Sequence, residues 1–100
     1  MPKIFEYFGF VFFFYSNEHQ PIHVHVVYGE RQLVYEIIIE NGNFVSIVRR
    51  NVKGYLPLLQ HNAKMAEEFV RVYAQDIVQK WIDYFILKKP VQCTYITTKI

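Results

Sequence analysis

The chain has 100 residues, 52% of them hydrophobic, which excludes an intrinsically disordered chain and predicts one domain with a real core. Its net charge of +2 is too small to predict nucleic-acid binding from electrostatics alone. The single cysteine, Cys93, excludes an internal disulfide and a zinc site made of cysteines, and we expect a structural thiol there. The apolar run 8–15 is too short to span a bilayer and no cleavage site of small residues follows it, so we expect a cytoplasmic protein without membrane contact.

The first half of the chain predicts an antiparallel meander of about five strands. The nearly unbroken aromatic run 10–16 is typical of a central strand that is buried on both faces. Phe8-Gly9 and residues 29–31 are predicted turns, and Asn41-Gly42 supplies the two positive φ angles of a type I′ hairpin turn. The predicted strands cover residues 3–7, 10–16, 22–28, 32–40 and 43–48.

Residues 57–88 predict helices, because apolar residues recur there at spacings of three and four. The pattern fits one long helix or two helices broken near residues 74–76, and we favour two, with Asp76 as a cap of the second. The side chains expected to pack together between helices and sheet are Trp81, Phe69, Ile77, Val24 and Val26.

Pro90 ends the helical part, and the β-branched residues after it predict a final strand at 92–98. This strand could pair with the edge of the sheet or with another copy of the protein, as in a homo-oligomer. The fold class is therefore α+β: a single domain of residues 1–100, with the meander in 1–50, the helices in 57–88 and a strand or tail in 90–100.

The most unusual stretch of the chain runs from Glu18 to Tyr28 and holds three of the four histidines, His19, His23 and His25. Strand alternation places His23 and His25 on one face, with β-carbons ~7 Å apart. Val24, Val26 and Tyr28 alternate with them, on the face expected to join the core.

Three interpretations of these histidines stay open from the residues alone. The first is a divalent transition-metal site, with imidazole ligands from His19, His23 and His25 and an oxygen ligand from Glu18. The second is acid–base catalysis by His23 and His25, for example in phosphodiester cleavage, since imidazole titrates near neutral pH. The third is structural, with the imidazoles hydrogen-bonding backbone groups and shaping the loop at Pro21.

The chain resembles a family of small prokaryotic proteins, domain-of-unknown-function family 4160. The resemblance rests on the start Met1-Pro2-Lys3-Ile4, on the segment from Pro21 through His23 and His25 to Val26, and on the helical Trp81. It covers about residues 1–86, and Ile22 replaces the second proline of the family's P-P-H-x-H-V signature. The resemblance implies that Pro21, His23, His25 and Trp81 belong to a shared motif. It also implies a bacterial protein, encoded beside a second small protein in an arrangement like a toxin–antitoxin pair.

Two classes of function follow from these observations. The first is a regulatory binding module, toxin–antitoxin-like, that acts through a small protein partner encoded nearby and could also touch nucleic acid. The second is an enzyme, a metal-dependent or His-dependent phosphodiesterase or ribonuclease that uses His19, His23 and His25.

Overall fold

A computed structural model describes residues 2–16 and 21–100 of the chain. Within them the strands are Lys3–Tyr7 (β1), Phe10–Phe13 (β2), His23–Tyr28 (β3), Arg31–Glu40 (β4), Asn43–Asn51 (β5) and Thr94–Ile96 (β6). They form one sheet in the order β5-β4-β3-β2-β1-β6. Neighbours from β1 to β5 are antiparallel, whereas β6 lies parallel to β1. The predicted α+β class and the five-stranded meander are confirmed.

Two tight hairpin turns set the register of the meander. Asn41 and Gly42 have φ angles of 52° and 79°, which confirms the predicted turn with two positive φ angles. Phe8 and Gly9 form the same kind of turn between β1 and β2, with φ angles of 44° and 89°. A β-carbon on Gly9 would come within 3.0 Å of the Tyr28 ring, so glycine is required there for space as well as for φ.

Some strand boundaries differ from the prediction. β2 ends at Phe13 and not at residue 16, because β3 pairs with it only as far as the Phe13–His25 pair. β5 continues to Asn51 and not to residue 48, because its pairing with β4 continues as far as Leu33. The end of a strand therefore depends on how far its partner strand continues to pair with it, and the composition of one segment does not reveal this.

The helices are Gln60–Val72 (α1) and Ala74–Trp81 (α2), followed by a π-helix at Ile82–Ile86. The preference for two helices is confirmed, with the break at Tyr73. The prediction that Asp76 caps α2 is wrong: Tyr73 is the N-cap residue, and Asp76 lies in the first turn. The Tyr73 N–H bonds to the Phe69 carbonyl and its own carbonyl accepts from Ile77, so the backbone passes from one helix to the next without a separate capping residue.

Both helices pack on one face of the sheet, as predicted. Phe69 of α1 is 0% exposed and stacks on Phe12 of β2 with ring centroids 4.5 Å apart. Phe69 also contacts the rings of Phe5 and Tyr7 in β1. The predicted interface residues all belong to the core: Trp81, Phe69, Ile77, Val24 and Val26.

The final strand pairs with the sheet edge of its own chain and is shorter than predicted. Lys80 of α2 fixes the segment, because its ammonium donates to the Gln92 carbonyl at 2.7 Å and to the Thr94 hydroxyl at 3.0 Å. Burial lowers the pKa of Lys80. Burial, and then the negative charge of Glu6, raises the pKa of Cys93. A raised pKa fits the structural, unreactive thiol that was expected there.

Across the described residues, none of the helices is both long and apolar enough to cross a membrane.

Candidate functional site

His25 is buried in the face of the sheet opposite the helices. It is only 7% exposed, and it packs between two aromatic rings. The Phe13 ring stacks on it at 5.4 Å, and the Tyr15 ring meets it edge-on at 4.5 Å. Phe13 is directly opposite His25 in the β2–β3 pairing, which is why these two side chains share a face.

A buried amide orients the His25 ring. Oε1 of Gln32 lies 3.3 Å from Nδ1 of His25 and also accepts a hydrogen bond from the Tyr15 hydroxyl at 3.3 Å. Because an amide oxygen only accepts, Nδ1 of His25 is the donor in this contact. Gln32 is 3% exposed, so this hydrogen bonding also satisfies a polar group that burial would otherwise penalise.

His23 connects His25 to the helices. Its ring centroid is 5.5 Å from that of His25 and 5.2 Å from that of Trp81. The Pro21 carbonyl accepts a hydrogen bond from Nδ1 of His23 at 2.7 Å, so His23 has the same tautomer as His25.

Trp81 lies at the end of α2, with its ring against that of His23. It is 1% exposed and contacts Phe14 at 5.3 Å and Phe85 at 4.3 Å between ring centroids. Within the described part of the chain its indole N–H is buried and has no hydrogen-bond partner. The π-helix begins one residue later, and such helices are rare and concentrate at functional sites.

The predicted site residues are brought together only in part. The structure places His23, His25 and Trp81 side by side, with Pro21 hydrogen-bonded to His23. His19 and Glu18, the other predicted metal ligands, lie outside the described residues. In residues 2–16 and 21–100, no three His, Cys, Asp or Glu side chains are grouped so as to hold a metal ion.

Three members of this cluster were not predicted from the sequence: Phe13, Tyr15 and Gln32. The period of two along the chain places Phe13 and Tyr15 on one strand face, so that signal was available. Gln32 could not be predicted in this way, because its contact with His25 depends on the register of β3 against β4. Tyr28, expected in the core, is instead 36% exposed, since it lies at the end of β3 with its ring against Phe10.

A second polar cluster lies on the helix side of the sheet. The hydroxyl of Tyr35 donates to Glu67 of α1 at 3.0 Å, and Arg49 of β5 donates to the same carboxylate oxygen through Nε at 2.6 Å. Burial, and then the negative charge of Glu67, raises the pKa of Tyr35 above its ordinary value. Arg50 pairs with Glu36 on the opposite face of the sheet.

Comparison with known proteins gives one positive result. The sequence model of a family described as "Domain of unknown function (DUF4160)" matches residues 9–82. No curated protein and no solved structure matches the chain. The matched range includes the two histidines of β3 and Trp81, and begins after the Met1-Pro2-Lys3-Ile4 start. Because the match covers more than half of the chain, the protein belongs to this family of unknown function.

Proposed function

We propose that this protein is a cytoplasmic binding module, toxin–antitoxin-like in its arrangement, that docks a small protein partner encoded nearby. The proposal rests on one observation: several large apolar side chains are exposed together at one end of the sheet. The meander brings the β1–β2 turn, the β3–β4 turn and the segment after β5 to this end. The exposed fractions are 46% for Phe8, 36% for Tyr28, 48% for Tyr55, 64% for Leu56, 48% for Leu59 and 44% for Ile100. We call these six residues the apolar end.

Some members of the apolar end lie close together. Tyr28 lies over Gly9, next to Phe8, and lines a cavity of about 270 Å³ together with Leu59. Arg31 ties the segment after β5 to this cavity, because its Nη1 donates to the Pro57 carbonyl at 3.0 Å. Exposed apolar residues that are scattered singly need no explanation, but a gathered set typically marks an interaction surface.

The charges beside the apolar end indicate what kind of partner it suits. Lys99 lies over the Phe8 ring at 5.0 Å, Arg31 lines the cavity, and Lys53 precedes Tyr55 by two residues. Glu30 is the acidic residue that lines the same cavity. A surface with this basic excess favours a partner segment whose apolar anchors are flanked by acidic residues.

The test is co-purification with the protein encoded by the neighbouring gene, with the affinity tag on that partner. Leu56→Asp is expected to weaken the complex about tenfold or more, since a buried charge replaces an apolar anchor. The unfolding midpoint should not change, because Leu56 is 64% exposed in the chain alone.

Val45→Asp is the matched control, since Val45 is 49% exposed in β5, near the opposite end of the sheet. The proposal fails if no complex forms, or if both aspartate variants weaken the complex equally. A homodimer that Leu56→Asp disrupts would mean that the surface recognises a second copy of the chain and not the neighbouring protein.

One observation favours a second candidate function, His-dependent phosphodiester cleavage. The ring centroids of His23 and His25 lie 5.5 Å apart, close enough for one imidazole to act as general base and the other as general acid on the same substrate. If the protein cleaves unstructured RNA, His23→Ala is expected to slow cleavage by about 100-fold or more, and the exposed His61→Ala to leave it unchanged. Sensitivity to a chelator would assign the histidines to a metal, for which His19 and Glu18 are the further candidate ligands. Wild-type protein that leaves RNA intact with and without added divalent metal would remove this candidate.

A further inference from the structure

A second cavity lies at the other end of the sheet from the apolar end. Its volume is about 310 Å³, and its walls are Ser16, Tyr84, Phe85, Lys88, Lys89 and Pro90. Ser16 follows β2, Tyr84 and Phe85 belong to the π-helix, and the remaining residues follow that helix directly. The described wall residues therefore combine two ammonium groups, two aromatic rings and the hydroxyl groups of Ser16 and Tyr84.

The backbone of Lys88 is unusual for a residue with a side chain. Its φ angle is 57°, in the left-handed region where glycine normally ends a helix. The N–H of Lys89 bonds to the Asp83 carbonyl at 2.8 Å, and the N–H of Leu87 bonds to the Ile82 carbonyl at 2.9 Å. The helix end is closed by these backbone bonds, so the fold itself would be served better by glycine than by lysine at position 88.

The described walls of the cavity carry positive charge, from the ammonium groups of Lys88 and Lys89. No acidic side chain is among its described wall residues. Asp83, the nearest acidic residue of the π-helix, lines a different cavity and accepts a hydrogen bond from Gln79 at 2.9 Å. Within residues 2–16 and 21–100, neither Lys88 nor Lys89 forms an ion pair.

We propose that this cavity binds a nucleoside phosphate. The phosphate lies between the ammonium groups of Lys88 and Lys89, which act as charge-assisted donors, with the Ser16 hydroxyl as a further donor. The base stacks on Tyr84 and Phe85, an arrangement by which proteins hold nucleotides and single-stranded nucleic acid without reading sequence. In this proposal the charge of Lys88 contributes to ligand binding, and this explains a lysine at a position where the positive φ angle favours glycine.

The test measures binding of adenosine 5′-monophosphate by calorimetry and by the amide NMR shifts of residues 84–89. Lys88→Gly is the most informative variant, because glycine suits the backbone at positive φ better and removes the side chain that carries the ammonium. We expect it to weaken binding about tenfold while the melting temperature stays the same or rises. Lys89→Gln is expected to weaken binding by a similar factor. Lys53→Gln, an exposed lysine near the apolar end, should leave binding unchanged and serves as the charge-matched control.

Three further probes test the chemistry of the ligand. Adenosine and inorganic phosphate are each expected to bind at least tenfold more weakly than the nucleotide, since each lacks one half of the contacts. A short single-stranded RNA that binds more tightly than the nucleotide, with the same loss in Lys88→Gly, would identify a nucleic-acid strand as the source of the phosphate, whereas equal affinity would identify the free nucleotide. The proposal is overturned if residues 84–89 do not shift, if Lys88→Gly binds as wild type does, or if phosphate alone binds as tightly as the nucleotide.

Discussion

Replacing Trp81 with alanine is expected to lower the free energy of unfolding by about 3–5 kcal/mol. The indole is 1% exposed and fills the space between Phe14, Phe85 and His23, so its removal leaves a cavity that rigid neighbours cannot close. Chemical denaturation of wild type and variant, with the slope against denaturant compared as well, measures this loss. A loss below about 1 kcal/mol would show that the helix end repacks and that Trp81 does not support the sheet.

Trp81→Phe separates the packing of the indole from its polar atom. Phenylalanine leaves a smaller void, and it also removes a buried N–H that has no partner among the described residues. An unsatisfied buried donor costs about 1–3 kcal/mol, so its removal offsets much of the lost packing. We therefore expect Trp81→Phe to stay within about 1 kcal/mol of wild type, whereas a loss near that of alanine would mean that the N–H has a partner.

The protein is expected to lose stability steeply at alkaline pH because of Tyr35. Burial and the adjacent Glu67 charge raise its pKa in the folded state above the ordinary 10.0. Above pH 10 the unfolded chain therefore releases this proton while the folded protein keeps it, so stability present below pH 10 falls as pH rises toward the folded pKa. The slope approaches about 1.4 kcal/mol per pH unit once the tyrosine of the unfolded chain is ionised, so the loss between pH 10 and pH 12 is roughly 2 kcal/mol.

Tyr35→Phe isolates this effect from other titrations. Lys80 and Cys93 also have shifted pKa values, but they are common to both proteins and cancel in the comparison. At neutral pH the variant should be less stable by about 1.5–3 kcal/mol, because Glu67 loses a hydrogen bond to a charged group. That difference should shrink as the pH rises above 10, and a difference independent of pH would contradict the raised pKa of Tyr35.

Local sequence determined the elements of this fold where one segment carries its own signal. Asn41-Gly42 forms its turn because both residues tolerate positive φ, whatever lies around them. The aromatic run at 10–13 had to be central, because no single face of a sheet could hide all of its rings. The apolar spacing that leads to Phe69 and Ile77 likewise required a helix with one face on the core.

Only the tertiary structure decided what surrounds the histidines. Strand alternation placed His23 and His25 on one face but gave no information on what lies over it. Gln32 and Trp81 reach the two rings from β4 and from the end of α2, so their contacts depend on strand register and helix packing. The exposed apolar end has the same origin, since Phe8, Tyr28 and Leu56 lie at one end of the sheet only after the strands have paired.

Strand β3 therefore carries two kinds of information, one local and one that depends on the whole fold. Its alternation is a local property, because successive side chains of any strand point to opposite faces, and it correctly assigned Val24 and Val26 to the core. The chemistry of the opposite face is a property of the whole fold. The burial of His25 and its hydrogen bond to Gln32 arise from residues that are distant in sequence or on neighbouring strands, and their contacts exist only after the sheet has formed.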